Sequence, residues 1–183
     1  MVDNSVSLPV PDAPGLEPLA GPPASDAVQG ELHLRFRLNT GDELALAATG
    51  VQEVIGISPE WITPVPNVPP VVLGAYNFRG QVIWVADLGQ FLGFANPLST
   101  SRSEVSVVVV AHEGLTVGLA VDQVVGVDWL DQKGFRPAGP STAGQAPIIL
   151  GEWSGQGEGS SRVRLLQPAA LLQSGRWIQG TGA

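Results

Sequence analysis

The segment Val51-Gln52-Glu53-Val54-Ile55-Gly56-Ile57 recurs 70 positions later in the same chain as Val121-Asp122-Gln123-Val124-Val125-Gly126-Val127. Both copies read V-x-x-V-(I/V)-G-(I/V), and the likeness extends in both directions. Upstream, with a one-residue slip, Phe36, Leu38, Leu44 and Leu46 fall on Val107, Val109, Leu115 and Val117. Downstream, Val72-Leu73-Gly74-Ala75-Tyr76 matches Ile149-Leu150-Gly151-Glu152-Trp153, and Val82, Trp84 and Leu88 then lie opposite Val163, Leu165 and Ala169. Four matches in one order imply a duplicated unit, at about residues 31–98 and 103–177. A unit that short buries only ~60% of the surface its unfolded chain exposes, so the two are expected to share a core. Two copies are too few for a solenoid, which needs about three, and the duplication points to a barrel or sandwich.

The local patterns are those of strands. Leu32, Leu34, Phe36 and Leu38 alternate with His33, Arg35 and Arg37, a period of two that predicts a half-buried strand. Asn39-Thr40-Gly41-Asp42 supplies a turn, and Leu44, Leu46 and Ala48 resume the alternation as the second arm of a hairpin. Further strands are predicted over 51–57, 81–86, 105–111, 115–121, 124–130 and 162–167, and short helices over 88–94 and 168–173, the second opening on Pro168. Residues 1–29 hold six prolines, four acids, no base and no aromatic residue, and are expected to form a disordered acidic tail ahead of a domain over 30–183.

Composition excludes several chemistries. Nine Lys+Arg against 17 Asp+Glu give a net charge of −8, the wrong field for gripping a phosphate backbone, so no nucleic-acid partner is expected. Without cysteine there is no disulfide, thiolate nucleophile or zinc-thiolate site. No basic leader and apolar stretch opens the chain, and its apolar runs are shorter than the ~20 residues that span a bilayer, so the expectation is a cytoplasmic protein without membrane insertion. His33 and His112 sit at equivalent strand positions without ligand spacing and are expected to face solvent; no metal site or cofactor is expected. Asp42 and Glu43 read as solvated turn carboxylates, Gly155-x-Gly157-x-Gly159 as a loop, and no serine has G-x-S-x-G around it, so no catalytic residue is expected. The five tryptophans could form a sugar-stacking platform, but the apolar positions of Trp84 and Trp153 favour packing.

The repeat also shows what is not duplicated. Asn77-Phe78-Arg79-Gly80 joins two apolar segments in the first copy, where the second has Ser154-Gly155-Gln156-Gly157-Glu158-Gly159-Ser160. An arginine there has five donors and long reach, and serves either as a plain surface charge, as the partner of a carboxylate such as Glu53, or as a contact for another molecule.

The run Pro66-Asn67-Val68-Pro69 followed by Gly74-Ala75-Tyr76-Asn77-Phe78-Arg79-Gly80, with Gly50–Gly56 before it and Val85-Ala86-Asp87-Leu88 after it, resembles the CheW family of chemotaxis adaptors over about residues 31–177. The resemblance implies an all-β fold of two pseudo-repeated, intertwined SH3-like five-stranded β-barrels with short helices, strands possibly exchanged between them. It implies a non-enzymatic adaptor between the cytoplasmic tip of a methyl-accepting chemoreceptor and the regulatory domain of a CheA-type histidine kinase, recruited to membrane receptor arrays. Val51, Glu53, Val54, Gly74, Asn77, Phe78, Arg79, Gly80 and Val124 are the positions it implies for receptor or kinase binding, with Glu53 and Arg79 as an ion pair. Trp84 stands where many members have proline and Gly89 where arginine is usual. The stretch Tyr76–Trp84 looks more like adaptors of type IV pilus motility and phototaxis, as in cyanobacteria, than flagellar ones. The runner-up is a β-rich carbohydrate- or small-ligand-binding module that uses its tryptophans.

Overall fold

The computed structural model describes residues 30–139, 147–154 and 162–177; the acidic leader and nearly all of the 154–160 stretch lie outside them. In chain order the strands are β1 (Gly30–Arg37), β2 (Glu43–Ala47), β3 (Val51–Ile57), β4 (Val72–Phe78) and β5 (Gln81–Asp87), then helix α1 (Leu88–Leu92). They continue as β6 (Val105–His112), β7 (Leu115–Val121), β8 (Gln123–Asp131), β9 (Phe135–Pro137), β10 (Ile149–Trp153) and β11 (Val163–Leu166), and close with α2 (Pro168–Leu172). The fold is mostly β with two sheets, as the duplication implied.

One sheet runs β8-β1-β2-β11-β10-β9 and the other β3-β6-β7-β5-β4. Each therefore combines the first hairpin of one repeat with the later strands of the other. Connector length dictates the exchange. Only the 3-10 turn Ala48–Gly50 separates β2 from β3, and only Asp122 separates β7 from β8. For β3 to sit in its own repeat's sheet at the place β8 takes, it would run parallel to β2 on the far side of β1. A parallel connection needs a dozen or more residues, so the chain steps across to the other sheet instead.

The interior follows from this. β6 is apolar on both faces, and its side chains alternate between two cores. Val108 and Val110 join Leu34, Phe36, Leu44, Leu46, Leu119 and Leu166 in a core built by both sheets. Val105, Val107 and Val109 join Ile57, Phe78, Ile83 and Val85 in a second core belonging to the β3–β7 sheet. The counterpart face of β1 is different: there His33 and Arg35 meet Glu43 of β2, Asp128 of β8 and Trp153 of β10.

Two expectations are corrected on that face. His33 was expected in solvent and is buried, its ring edge-on to Trp153 at a centroid distance of 5.3 Å and its Nδ1 2.6 Å from the Glu31 carbonyl. Glu43 was expected to be solvated, but its side chain is fully buried against Arg35, with Arg37 Nε 3.5 Å from Oε2. The reason is that side chains from other strands of the same sheet, Asp128 of β8 and Trp153 of β10, reach over this face and take the place of water. His112, at the end of a hairpin, is partly exposed.

The repeat alignment needs one register change. Asp87 and Gln167 occupy the N-cap positions of α1 and α2, and Ala86 and Leu166 take matching places beside Val72 and Ile149, so β5 maps on β11 with an offset of 80. The earlier offset of 81 reversed the faces, as any single-residue slip does in a strand. Trp84 corresponds to Arg164, not to Leu165, and of the two places expected for it, a core or an interface, the core is excluded because it stands outside both.

The sixth strand, β9, completes an edge that the other sheet closes by a single bridge. Glu152 pairs with Arg136 of β9; its repeat counterpart Ala75 pairs with Thr63, exchanging backbone hydrogen bonds of 2.8 and 2.9 Å. Both pass directly over a glycine, Gly151 or Gly74.

Asp87, from the Val85–Leu88 motif, is buried. Its Oδ1 accepts from Gln90 N (3.1 Å) to cap α1 and its Oδ2 accepts from Leu98 N (2.6 Å). Asp87→Ala is expected to cost about 2–3 kcal/mol, the sum of a lost cap and an unsatisfied buried N–H. Urea unfolding measures it, and a loss under 1 kcal/mol would show that water replaces both bonds.

Candidate functional site

The unduplicated turn is a two-residue hairpin between β4 and β5, since Phe78 pairs with Gln81. Arg79 has φ 51° and Gly80 φ 82°. Positive φ at both central residues is the turn type whose twist matches a hairpin, and asparagine followed by glycine is the usual way to build it. Asn77 instead stands two residues earlier, its Oδ1 accepting from Gly80 N at 2.9 Å. The left-handed position itself holds an arginine, a residue without the side-chain compensation that makes Asn tolerable there.

The turn residues form one constellation. Arg79 is 74% exposed at its side chain, and its Nη2 lies 2.6 Å from Glu53 Oε2 of β3. The contact is ionic and off the hydrogen-bonding axis, since that oxygen is buried without a hydrogen-bond partner. The guanidinium also lies 5.4 Å from the centre of the Phe78 ring, whose own side is buried in the second core. Glu53 and Phe78 therefore hold one side of the guanidinium, while most of the arginine side chain stays in water. An exposed pair of this kind adds ~1 kcal/mol or less to stability.

The other expected positions fall elsewhere. Val54 is exposed on the opposite face of β3 from Glu53. Val51 and Val124 each pack half-buried on the shared core from opposite sheets. Gly74 is buried, with φ 154°, and a Cβ there would lie 2.3 Å from the Thr63 carbonyl oxygen. Its lack of a side chain serves the backbone crossing.

Two exposed apolar features were not anticipated. On the edge strand β8, Val125, Val127 and Trp129 form a row of alternate residues facing solvent. The signal was present in Val124-Val125-Gly126-Val127-Asp128-Trp129, which has apolar residues at both parities, more than one buried face uses. Trp84 is exposed on β5 and lines a cleft with Trp177. The other tryptophans are dispersed: Trp61 stands exposed in a 3-10 turn, while Trp153 packs on Phe135 at 4.7 Å. The five therefore do not assemble into one platform.

Among the described residues no cluster of His, Cys, Asp or Glu could hold a metal ion, and no helix is long and apolar enough to cross a membrane. Comparison with known proteins places the geometry. The family model described as "CheW-like domain" matches residues 33–176. The chain is 34% identical over 134 residues to Protein PilI of Pseudomonas aeruginosa, covering 72% of each chain. It is 33% identical over 106 residues to the chemotaxis protein CheW of Rhizobium meliloti, covering 57% of this chain and 64% of that one. The scaffolding protein TtCheW of Thermoanaerobacter tengcongensis superposes with a TM-score of 0.66 at 22% identity, over 83% of this chain and 99% of that one.

Proposed function

Because the chain belongs to the CheW family, we propose that it is a non-enzymatic adaptor that couples the cytoplasmic tip of a chemoreceptor to the regulatory domain of a CheA-type histidine kinase. Likeness to Protein PilI supports the pilus-motility branch of that reading. The observation that carries it is Arg79: a long cation in a strained left-handed position, tethered by Glu53, with most of its surface in water. A packing role does not call for arginine there. A partner's carboxylate or carbonyls would, because a pre-positioned guanidinium loses little rotamer freedom on binding. Glu53, Asn77, Phe78 and Gly80 shape the turn; Val51, Val54 and Val124 offer apolar area for an amphipathic helix.

Arg79→Asn separates the two roles. Asparagine is more comfortable at φ 51° than arginine, so the melting temperature is expected to hold or rise slightly. Capture of a soluble receptor tip and of the kinase regulatory domain together is expected to fall at least tenfold. A variant that captures both as well as the parent would remove Arg79 from the interface.

A further inference from the structure

We propose that the cleft between Trp84 and Trp177 is a docking groove for the chain's own proline-rich leader, at Leu8–Pro14. The proposal goes beyond the adaptor reading and does not depend on it.

The cleft has a volume of about 480 Å³ and lies where the outer face of β5 and β7 meets the end of α2. Trp84, Trp177, Leu115, Val117, Leu172 and Pro69 form its walls, and no charged side chain lines it. Its aromatic surface is open to water: Trp84 is 45% and Leu115 54% exposed. Trp177 donates its indole N–H to Leu171 O at 2.8 Å, whereas that of Trp84 has no partner among the described residues. An aromatic-walled apolar groove whose lining includes an indole N–H without a partner among the described residues suits an extended proline-rich segment, whose rings pack on the indoles and whose carbonyls accept hydrogen bonds. Such segments bind with little ordering cost because proline already restricts the backbone.

The leader supplies that ligand. Leu8-Pro9-Val10-Pro11-Asp12-Ala13-Pro14 holds three prolines in seven residues, and on a polyproline helix of three residues per turn Leu8, Pro11 and Pro14 would share one apolar edge. Asp12 would fall on another edge, facing away from a groove without charge. Length permits the contact. The described chain starts at Gly30, and the 16 residues back to Pro14 reach ~50 Å at ~3.1 Å per residue, against a radius of gyration of ~15 Å for a domain of this size. Tethering also raises the effective concentration to the millimolar range, so a weak contact is populated.

The absence of cysteine makes the test direct. A nitroxide is attached to Ser5→Cys in the otherwise intact, nitrogen-15-labelled chain, and the five indole N–H resonances are compared with and without reduction of the label. Trp84 and Trp177 are expected to lose at least threefold more intensity than the exposed Trp61 and Trp129, with little change on adding salt. Even attenuation, or none, overturns the proposal. Attenuation that persists when Pro11 and Pro14 are both alanine overturns the proline-edge recognition. Equal attenuation in a mixture of nitroxide-bearing unlabelled chain and label-free nitrogen-15 chain assigns the groove to a second copy's leader, and overturns the intramolecular contact.

Discussion

Gly74→Ala is expected to destabilise the fold by about 3 kcal/mol, a fall of ~6–12 °C in melting temperature for a chain of this size. Two costs combine. The backbone at φ 154° is one that side-chain-bearing residues rarely adopt, and the new Cβ would meet the Thr63 carbonyl at 2.3 Å. The obstacle is backbone in a hydrogen-bonded bridge, so it cannot rotate away. Gly151→Ala is the internal control. Its Cβ would meet Arg136 O at the same 2.3 Å without the positive φ, and it is expected to lose less, about 1–3 kcal/mol. A Gly74→Ala protein as stable as the parent but unable to bind its partners would instead return Gly74 to the interface that the family resemblance implies.

Arg35→Met is expected to cost about 3 kcal/mol, read by denaturant unfolding at neutral pH. Arg35 Nε and Nη2 both donate to Glu43 Oε1, the first at 2.6 Å, and Nη1 donates to Asp128 Oδ2 at 2.5 Å. Burial works against the guanidinium, but the hydrogen bonds and charges of Glu43 and Asp128 outweigh it and hold its pKa above the usual value. A raised pKa stabilises below the unfolded-state value and is lost only above the folded one, so the contribution is complete at every ordinary pH. Removing the arginine takes the nearest cation from a buried carboxylate and leaves Arg37 further off, and breaking a buried pair costs ~3–5 kcal/mol; partial exposure of Arg35 puts this case at the low end. The double change Arg35→Met, Glu43→Leu is expected to recover most of the loss, because apolar packing replaces a buried pair well. No recovery would show that Glu43 holds the hairpin through its other contacts.

Much of this was legible in the chain. Period-two alternation located β1 and β2, short apolar runs located β3, β5, β6, β7, β8 and β11, and the repeat paired Gly74 with Gly151, the two glycines that share the backbone crossing. The Arg79–Glu53 pair was one of several roles the unduplicated arginine left open, and the family resemblance singled it out. What periodicity could not give was the covering of the second face of β1. His33 and Arg35 look solvent-facing in a strand read alone, and their burial depends on strands almost a hundred residues away. Trp84 was misplaced for a similar reason: an alignment of apolar residues has no means of detecting a one-residue shift, whereas hydrogen-bonded register does. The apolar row on β8 was visible as excess valine and tryptophan, but whether such residues are inside or outside depends on the sheet's edges.

The exchange of hairpins has a consequence for how the two halves relate. The ladders β1–β8, β2–β11, β3–β6 and β5–β7 all join strands of different repeats. A chain holding one repeat would have a hairpin with no sheet to enter and three strands with no hairpin to complete them. Two such chains could satisfy one another only by swapping hairpins, so the present molecule has the architecture of a domain-swapped dimer fused into one polypeptide. A backbone nick between α1 and β6 would not release two separable modules. It would leave two fragments clasped by four ladders, complementing each other as subunits do.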